Sequence, residues 1–355
     1  MTSDPRSGRK WFYRTLFLLV VLCLSGWLTW TSIFPAPATA SPAAIGRWLA
    51  KRDLSRTSSV TQLALVERLQ QLLLVETGLA AFPQPAPDDL EQIDANVQLL
   101  SRAWFLDRSD AYQQVMLDDR MSFLRHQVDV VIAWGEFDNQ LQARRRRQAG
   151  LEPENNKLHL LDDIDGWIVA EPSARHEGLR HALHDAVLCW LATSDIADQP
   201  MSMRQEAADR IALALDGGAA SAADRLELNA QHRDRLLKNA WLLMEAWFRN
   251  RSVEFVSLPI TKRVPFIEDQ LDNVSSWGLD RVMVISADGE QGNPRPPQAR
   301  LLEVVSQLLA QLPDWIAATP EDQRDAVAHL AEELKHNLAT YMLKKTLPDL
   351  LPGTP

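Results

Sequence analysis

The sequence predicts a mainly α-helical protein: a multi-helix exported domain with a small β element of two to four short strands, preceded by one transmembrane helix. Three observations lead to this prediction. Apolar residues recur at three- and four-residue steps over most of the chain. Proline and glycine separate these periodic stretches. Residues 15–34 carry no charged side chain, and a stretch of that length spans a bilayer as a helix.

The composition is that of a folded protein with an acidic balance. The chain has 355 residues, a formal net charge of -10, 46% hydrophobic and 24% charged residues, which is enough to bury a substantial core. The acidic balance argues against a nucleic-acid partner held by phosphate contacts, because proteins of that kind usually carry positive charge. The two cysteines, Cys23 and Cys189, cannot form a disulfide framework or a cysteine-based zinc site.

The N-terminus predicts a membrane address. A basic tail, residues 1–14, contains Arg6, Arg9, Lys10 and Arg14 and precedes the predicted span at 15–34. Because cationic flanks stay on the cytoplasmic side, we expect a single-pass protein of the cell membrane with a cytoplasmic N-terminus and a C-terminal domain outside the cytoplasm.

A secreted protein is the alternative interpretation. Ala38-Thr39-Ala40 has the small-x-small form of a signal-peptidase site, so cleavage near Ala40 would release the domain. The unbroken apolar run ends at Leu24, well before that site, which favours a retained anchor. The proline- and alanine-rich residues 35–44 are predicted to be a semi-extended linker.

The helical region 45–149 is predicted to contain three helices. The first covers 45–77 with a weak point at 55–59, the second runs from an N-terminal cap at Asp88 to Phe105, and the third covers 109–147. Residues 150–172 follow as a loop or short hairpin, with candidate strands at 157–161 and 167–170.

The remaining region, 173–355, is predicted to be helical with a small strand-helix-strand unit. The predicted helices are 173–193, 202–215, 221–248 with Ser221 as its cap, 265–279, 297–312 and 320–345. Strands are predicted at 253–258 and 282–285, because both segments are rich in β-branched or other apolar residues.

The densest group of candidate ligands lies on the helix predicted at 173–193. His181, His184 and Asp185 stand at positions i, i+3 and i+4, with Glu177 one turn earlier on the same face. These side chains are of the types that bind zinc or iron when water occupies an open position. The alternative is that Glu177 and Asp185 are intrahelical partners of His181 on a solvated face. A second group, His329, Glu332, Glu333 and His336, contains one of the two Glu-x-x-His steps that a di-metal bundle needs.

A run of four arginines, 144–147, is the densest basic segment after the N-terminus. At the end of a long helix it complements the negative end of the helix dipole. A functional alternative is contact with an acidic partner or an anionic membrane surface.

No complete catalytic motif is present: the sequence lacks a phosphate-binding glycine loop, a dinucleotide-binding turn and a nucleophile elbow. We therefore predict a membrane-anchored protein of the cell envelope with a binding, sensory or scaffold role, and with the membrane and an envelope protein as partners. A metal-dependent enzyme centred on His181, His184 and Asp185 is the alternative.

Overall fold

The computed structural model describes residues 35–74, 82, 85–151, 163–215, 222, 225–276 and 297–346. Within these ranges the chain forms eleven α-helices and four short 3-10 helices, with no β-strand. The chain divides into two units at 107/108, 129/130 and 160/161. The mainly helical prediction is therefore confirmed for the described part.

The α-helices are, in chain order, α1 Pro42–Lys51, α2 Ser59–Leu74, α3 Leu90–Tyr112, α4 Arg120–Gln148, α5 Ile164–Val169, α6 Ser173–Thr193, α7 Met201–Leu215, α8 Ala230–Ser257, α9 Ile260–Ser276, α10 Pro297–Ala318 and α11 Glu321–Thr346. The 3-10 helices are Pro37–Thr39, Leu54–Arg56, Pro87–Asp89 and Leu117–Asp119.

The first unit is built around α1, α2, the early turns of α3 and the later turns of α4, whose apolar residues form one core. In α2 the buried Leu65, Leu69 and Leu72 recur at the spacing of one helix face. Asn96 of α3 fixes the end of α1: its Nδ2 donates to the carbonyl of Leu49 at 2.7 Å and to that of Arg52 at 2.6 Å. The helix end is thereby capped from another helix.

Residues 35–44, predicted to be a linker, make hydrogen bonds with this unit. The indole Nε1 of Trp48 donates to the Pro35 carbonyl at 3.2 Å, and Arg68 Nε donates to the Ala40 carbonyl at 2.7 Å. Ser41 caps α1, with Pro42 at the first helical position. Ala36 and Ser41 keep the extended backbone that a following proline favours.

The second unit is centred on α8, which packs against α6, α7 and α11. Asn229 caps α8 by accepting from the His232 backbone N–H at 2.8 Å. The buried Asn239 donates to the carbonyls of Leu191 at 2.7 Å and Ser194 at 2.8 Å. This buried asparagine ends α6 in the way that Asn96 ends α1.

Two helices in the first half of the chain have bounds that differ from the predicted ones. The helix predicted at 45–77 is divided into α1 and α2, with Leu54 buried between them and its N–H bound to Asn96 Oδ1 at 3.1 Å. The helix predicted at 109–147 begins only at Arg120, because Ser109 belongs to α3. Residues 113–119 reverse the chain without a proline or glycine to signal it.

Both predicted strands that fall on described residues are wrong. Residues 253–257 continue α8, where Val253 is 51% exposed and Phe255 fully buried. Alternation would have placed these two side chains on one face, so the burial follows a helical period. Residues 167–169 lie in α5, which buries Ile164 and Ile168 four residues apart. The other predicted strands, 157–161 and 282–285, lie outside the described residues.

None of the described helices is long and apolar enough to cross a bilayer. The predicted membrane span at 15–34, like the predicted cap at Ser221, lies outside the described residues. Residues 222, 225 and 226 are helical. Glu227 then interrupts the helix predicted at 221–248, because its φ of 46° is incompatible with a continuous right-handed helix, and α8 begins after Asn229.

Candidate functional site

The predicted ligand face lies on α6, whose bounds match the prediction, and its four candidate side chains face different surroundings. Glu177 is exposed, and its Oε1 lies 3.9 Å from His181 Nε2. His181 is half-buried. His184 and Asp185 are buried in the second unit.

The Asp185 carboxylate is bound by two side chains from other segments of that unit. Arg225 forms a fork, with Nη2 donating to Oδ1 at 2.5 Å and Nε to Oδ2 at 3.0 Å. The Tyr112 hydroxyl donates to Oδ2 at 2.5 Å. Burial, and then the hydrogen bond to Asp185, raise the pKa of Tyr112 well above its ordinary value. The carboxylate therefore joins the end of α3, α6 and the segment before α8.

His184 lies beside this ion pair without joining it. Its Nδ1 is buried and has no hydrogen-bond partner among the described residues. Burial, reinforced by the Arg225 guanidinium, lowers the pKa of His184 below its ordinary value. His184 is accordingly a neutral, packed imidazole at physiological pH.

The structure does not bring His181, His184, Asp185 and Glu177 together as a ligand set. Within the described residues, no three histidine, cysteine, aspartate or glutamate side chains are grouped to hold a metal ion. The second predicted group is also dispersed: His329 packs edge-on against Phe255 at 5.6 Å between ring centroids, and Glu332 pairs with Lys335 at 2.8 Å.

A groove in the first unit is a better candidate for a ligand site than the α6 face. It has a cavity volume of about 160 Å³ and lies between α1, the segment leading into α3, and the later turns of α4. Its apolar lining consists of Leu49, Ala50, Phe82, Ile93, Phe137 and Leu141. The mainly apolar lining is a feature of small-molecule sites.

Basic side chains border this groove. Arg47 and Lys51 come from α1, and Arg144 comes from α4. Arg144 also lines an adjoining depression together with Arg147. The one carboxylate in the two linings, Asp89, is paired with Lys51 at 2.6 Å. A site with a basic border thus occurs on a chain whose net charge is -10.

The arginines of the run 144–147 differ in their contacts. Arg145 binds Asp94 at 2.8 Å, away from the groove lining. Arg144 and Arg147, one helical turn apart, make no ion pair or hydrogen bond with any other described side chain. Two guanidinium groups at this spacing can converge on one anionic group.

Comparisons with protein-family models, with curated proteins and with solved structures find no match for this chain. A functional proposal therefore rests on the chemistry of its own side chains.

The sequence pointed to one component of the groove, the arginine run, and missed the rest. Leu49, Phe82, Ile93 and Phe137 belong to separate segments and resemble ordinary core residues in the sequence. Only the fold places them along one groove. The sequence signal that did exist was a dense basic run in an acidic chain.

Proposed function

We propose that this chain is a membrane-anchored binding protein of the cell envelope, and that the groove beside Arg144 and Arg147 is its ligand site. The observation that carries the proposal is an apolar groove bordered by arginines that lack acidic partners in the described part of an acidic chain. An anionic ligand with an apolar portion would complement both features.

The membrane part of the proposal rests on residues 1–34. The four basic residues before an uncharged stretch of bilayer-spanning length favour an anchor with a cytoplasmic N-terminus. The attachment of Pro35 to Trp48 supports a short connection between that anchor and the groove.

A metal-dependent enzyme on the α6 face is not proposed. The Asp185 oxygens are already engaged by Arg225 and Tyr112, and Glu177 Oε1 lies 3.9 Å from His181 Nε2. A metal ion would have to displace a buried ion pair before it could use this carboxylate.

The anchor is tested on the full chain in cells. A reporter fused after Pro355 is expected to be active only outside the cytoplasm, and the protein is expected to keep its N-terminus and resist a high-salt wash of the membranes. A soluble product that begins at Ser41 would overturn the anchor and establish a secreted protein.

The ligand site is tested by arginine modification with phenylglyoxal, read residue by residue by mass spectrometry. In native membranes an occupied groove shields Arg144 and Arg147, and both are expected to react faster once the full chain is purified and stripped in detergent. Arg180 and Arg233, which form no ion pair among the described residues and lie in the second unit, serve as internal controls with equal reactivity in both samples. Equal reactivity of Arg144 and Arg147 in both samples would overturn the site.

A further inference from the structure

We infer that the ligand of the groove is an anionic phospholipid drawn from the membrane that the anchor spans, with its phosphate at Arg144 and Arg147 and an acyl chain along the apolar lining. This inference rests on the proposed function and names its ligand class. Three features of the first unit support it.

The first feature is charge. Arg144 and Arg147 project from one side of α4 without acidic partners among the described residues, while the neighbouring Arg145 is held by Asp94. A guanidinium binds a phosphate with two parallel hydrogen bonds, and two guanidinium groups one turn apart can share its oxygens. Arg47 and Lys51 lie across the groove from Arg144, and Lys51 is paired with Asp89.

The second feature is the apolar lining next to those charges. Phe82 and Phe137 pack with their ring centroids 5.4 Å apart, and Leu49, Ile93 and Leu141 extend the same surface. An inorganic or sugar phosphate would leave this surface in water. An acyl chain would cover this surface, and the removal of apolar area from water is favourable.

The third feature is the position of the groove in the chain. Pro35, the first residue after the predicted span, is hydrogen-bonded through its carbonyl to Trp48 of α1. Arg47 and Lys51 of that same helix border the groove. Arg47 is twelve residues from Pro35, so the groove would lie near the point where the chain leaves the bilayer, where membrane lipids are at high local concentration.

The size of the groove favours a lipid over a protein partner. The groove is small, with a cavity volume of about 160 Å³, so it offers no extended face. A stable protein complex needs an extended face on each partner, on the order of 800 Å² per side. Binding of an acidic protein segment is instead one outcome of the test.

The test uses the full chain in nanodiscs, where no other protein is present. One sample contains phosphatidylcholine alone, a second contains phosphatidylcholine with phosphatidylglycerol, and a third contains phosphatidylcholine with soluble inorganic phosphate. Phosphatidylglycerol is expected to slow phenylglyoxal modification of Arg144 and Arg147 about tenfold, as for a ligand at about ten times its Kd. Arg180 and Arg233 are expected to react equally in all three samples.

A variant that adds a negative charge to the groove tests the role of Arg144, and a variant with the same charge in the second unit is its control. Gln140 lines the groove and is exposed, so Gln140→Glu adds a carboxylate beside Arg144 without changing the core. We expect this change to abolish the protection by phosphatidylglycerol. Gln231→Glu, at an exposed position of α8, adds the same charge in the second unit and is expected to leave the protection intact.

The outcomes separate this inference from the proposed function. Protection in native membranes but in none of the nanodiscs would overturn the phospholipid and indicate a ligand of another class, such as an acidic protein segment. Protection by soluble phosphate as strong as that by phosphatidylglycerol would also overturn it, since the apolar lining would then contribute nothing. An absence of protection even in native membranes would remove the binding site itself.

Discussion

The buried ion pair of the second unit allows one prediction to be worked out in detail. Asp185 is fully buried, and its described partners are Arg225 and Tyr112. Replacing Arg225 with Met keeps most of the side-chain length but leaves the carboxylate with Tyr112 as its only described donor. Removing one partner of a buried pair costs about 3–5 kcal/mol, because an uncompensated charge remains in a poorly solvated site.

The cost of this change is measurable by calorimetry of the full chain in nanodiscs. For a unit of this size we expect the transition of the second unit to fall by roughly 6–20 °C. Lys335→Met serves as the control: Lys335 pairs with Glu332 at 2.8 Å, but their side chains are 41% and 72% exposed. An exposed pair of this kind contributes about 0–1 kcal/mol.

A double variant distinguishes a charge effect from a packing effect. Asp185→Leu combined with Arg225→Met removes both charges, so it is expected to be clearly more stable than Arg225→Met alone. A loss below about 1 kcal/mol in the single variant, within the range of an exposed pair, would refute the reasoning. So would a double variant that is as unstable as the single one, because the unpaired charge would then not be the cause.

Three further predictions concern the buried polar groups. Burial and Arg225 lower the pKa of His184 in the folded chain, so the unfolded chain takes up a proton at this residue first as the pH falls. The free energy of unfolding is therefore expected to decrease below about pH 6.5, by at most about 1.4 kcal/mol per pH unit. His184→Gln should remove this slope in urea titrations, whereas His126→Gln, at an exposed position, should keep it. Burial raises the pKa values of Tyr112 and Tyr341 above 10, so an alkaline absorbance titration should ionise both only as the chain unfolds, and normal ionisation in the folded chain would contradict the described burial. Asn96→Ala leaves two carbonyls and one amide without their partner and should cost about 2–4 kcal/mol in denaturant unfolding; a change within 0.5 kcal/mol would show that the cap is unimportant.

The sequence predicted those helices whose ends carry a local signal. Pro172 precedes α6 and a polar segment follows it, and its bounds were predicted correctly. The turn after Tyr112 was missed because residues 113–119 contain no proline or glycine. That reversal is held by long-range bonds, including Tyr112 to Asp185 and Gln113 to the Gly178 carbonyl at 2.8 Å.

The wrong strand at 253–258 has a related cause. A short β-branched segment suits either structure, and the packing of Ser252 and Phe255 in the second unit decides for the helix. Tertiary contacts also determine the surroundings of the α6 face. The spacing of His181, His184 and Asp185 was correct, but no local pattern could show that Arg225, forty residues away, binds the carboxylate.

The groove could not be predicted from the sequence for the same reason, because its lining comes from α1, the segment around Phe82 and α4. Its arginines were visible in the sequence as a run. The sequence could not separate Arg145, which pairs with Asp94, from Arg144, which lines the groove, and Arg147, which lines the adjoining depression.

The most direct test of the groove as a phospholipid site is native mass spectrometry of the full chain released from nanodiscs that contain both phosphatidylcholine and phosphatidylglycerol. We expect one retained phosphatidylglycerol per chain, lost in Arg144→Ala/Arg147→Ala and kept in Arg180→Ala/Arg233→Ala, which removes the same charge from the second unit. Equal retention of phosphatidylcholine, or equal lipid loss in the two double variants, would contradict the account.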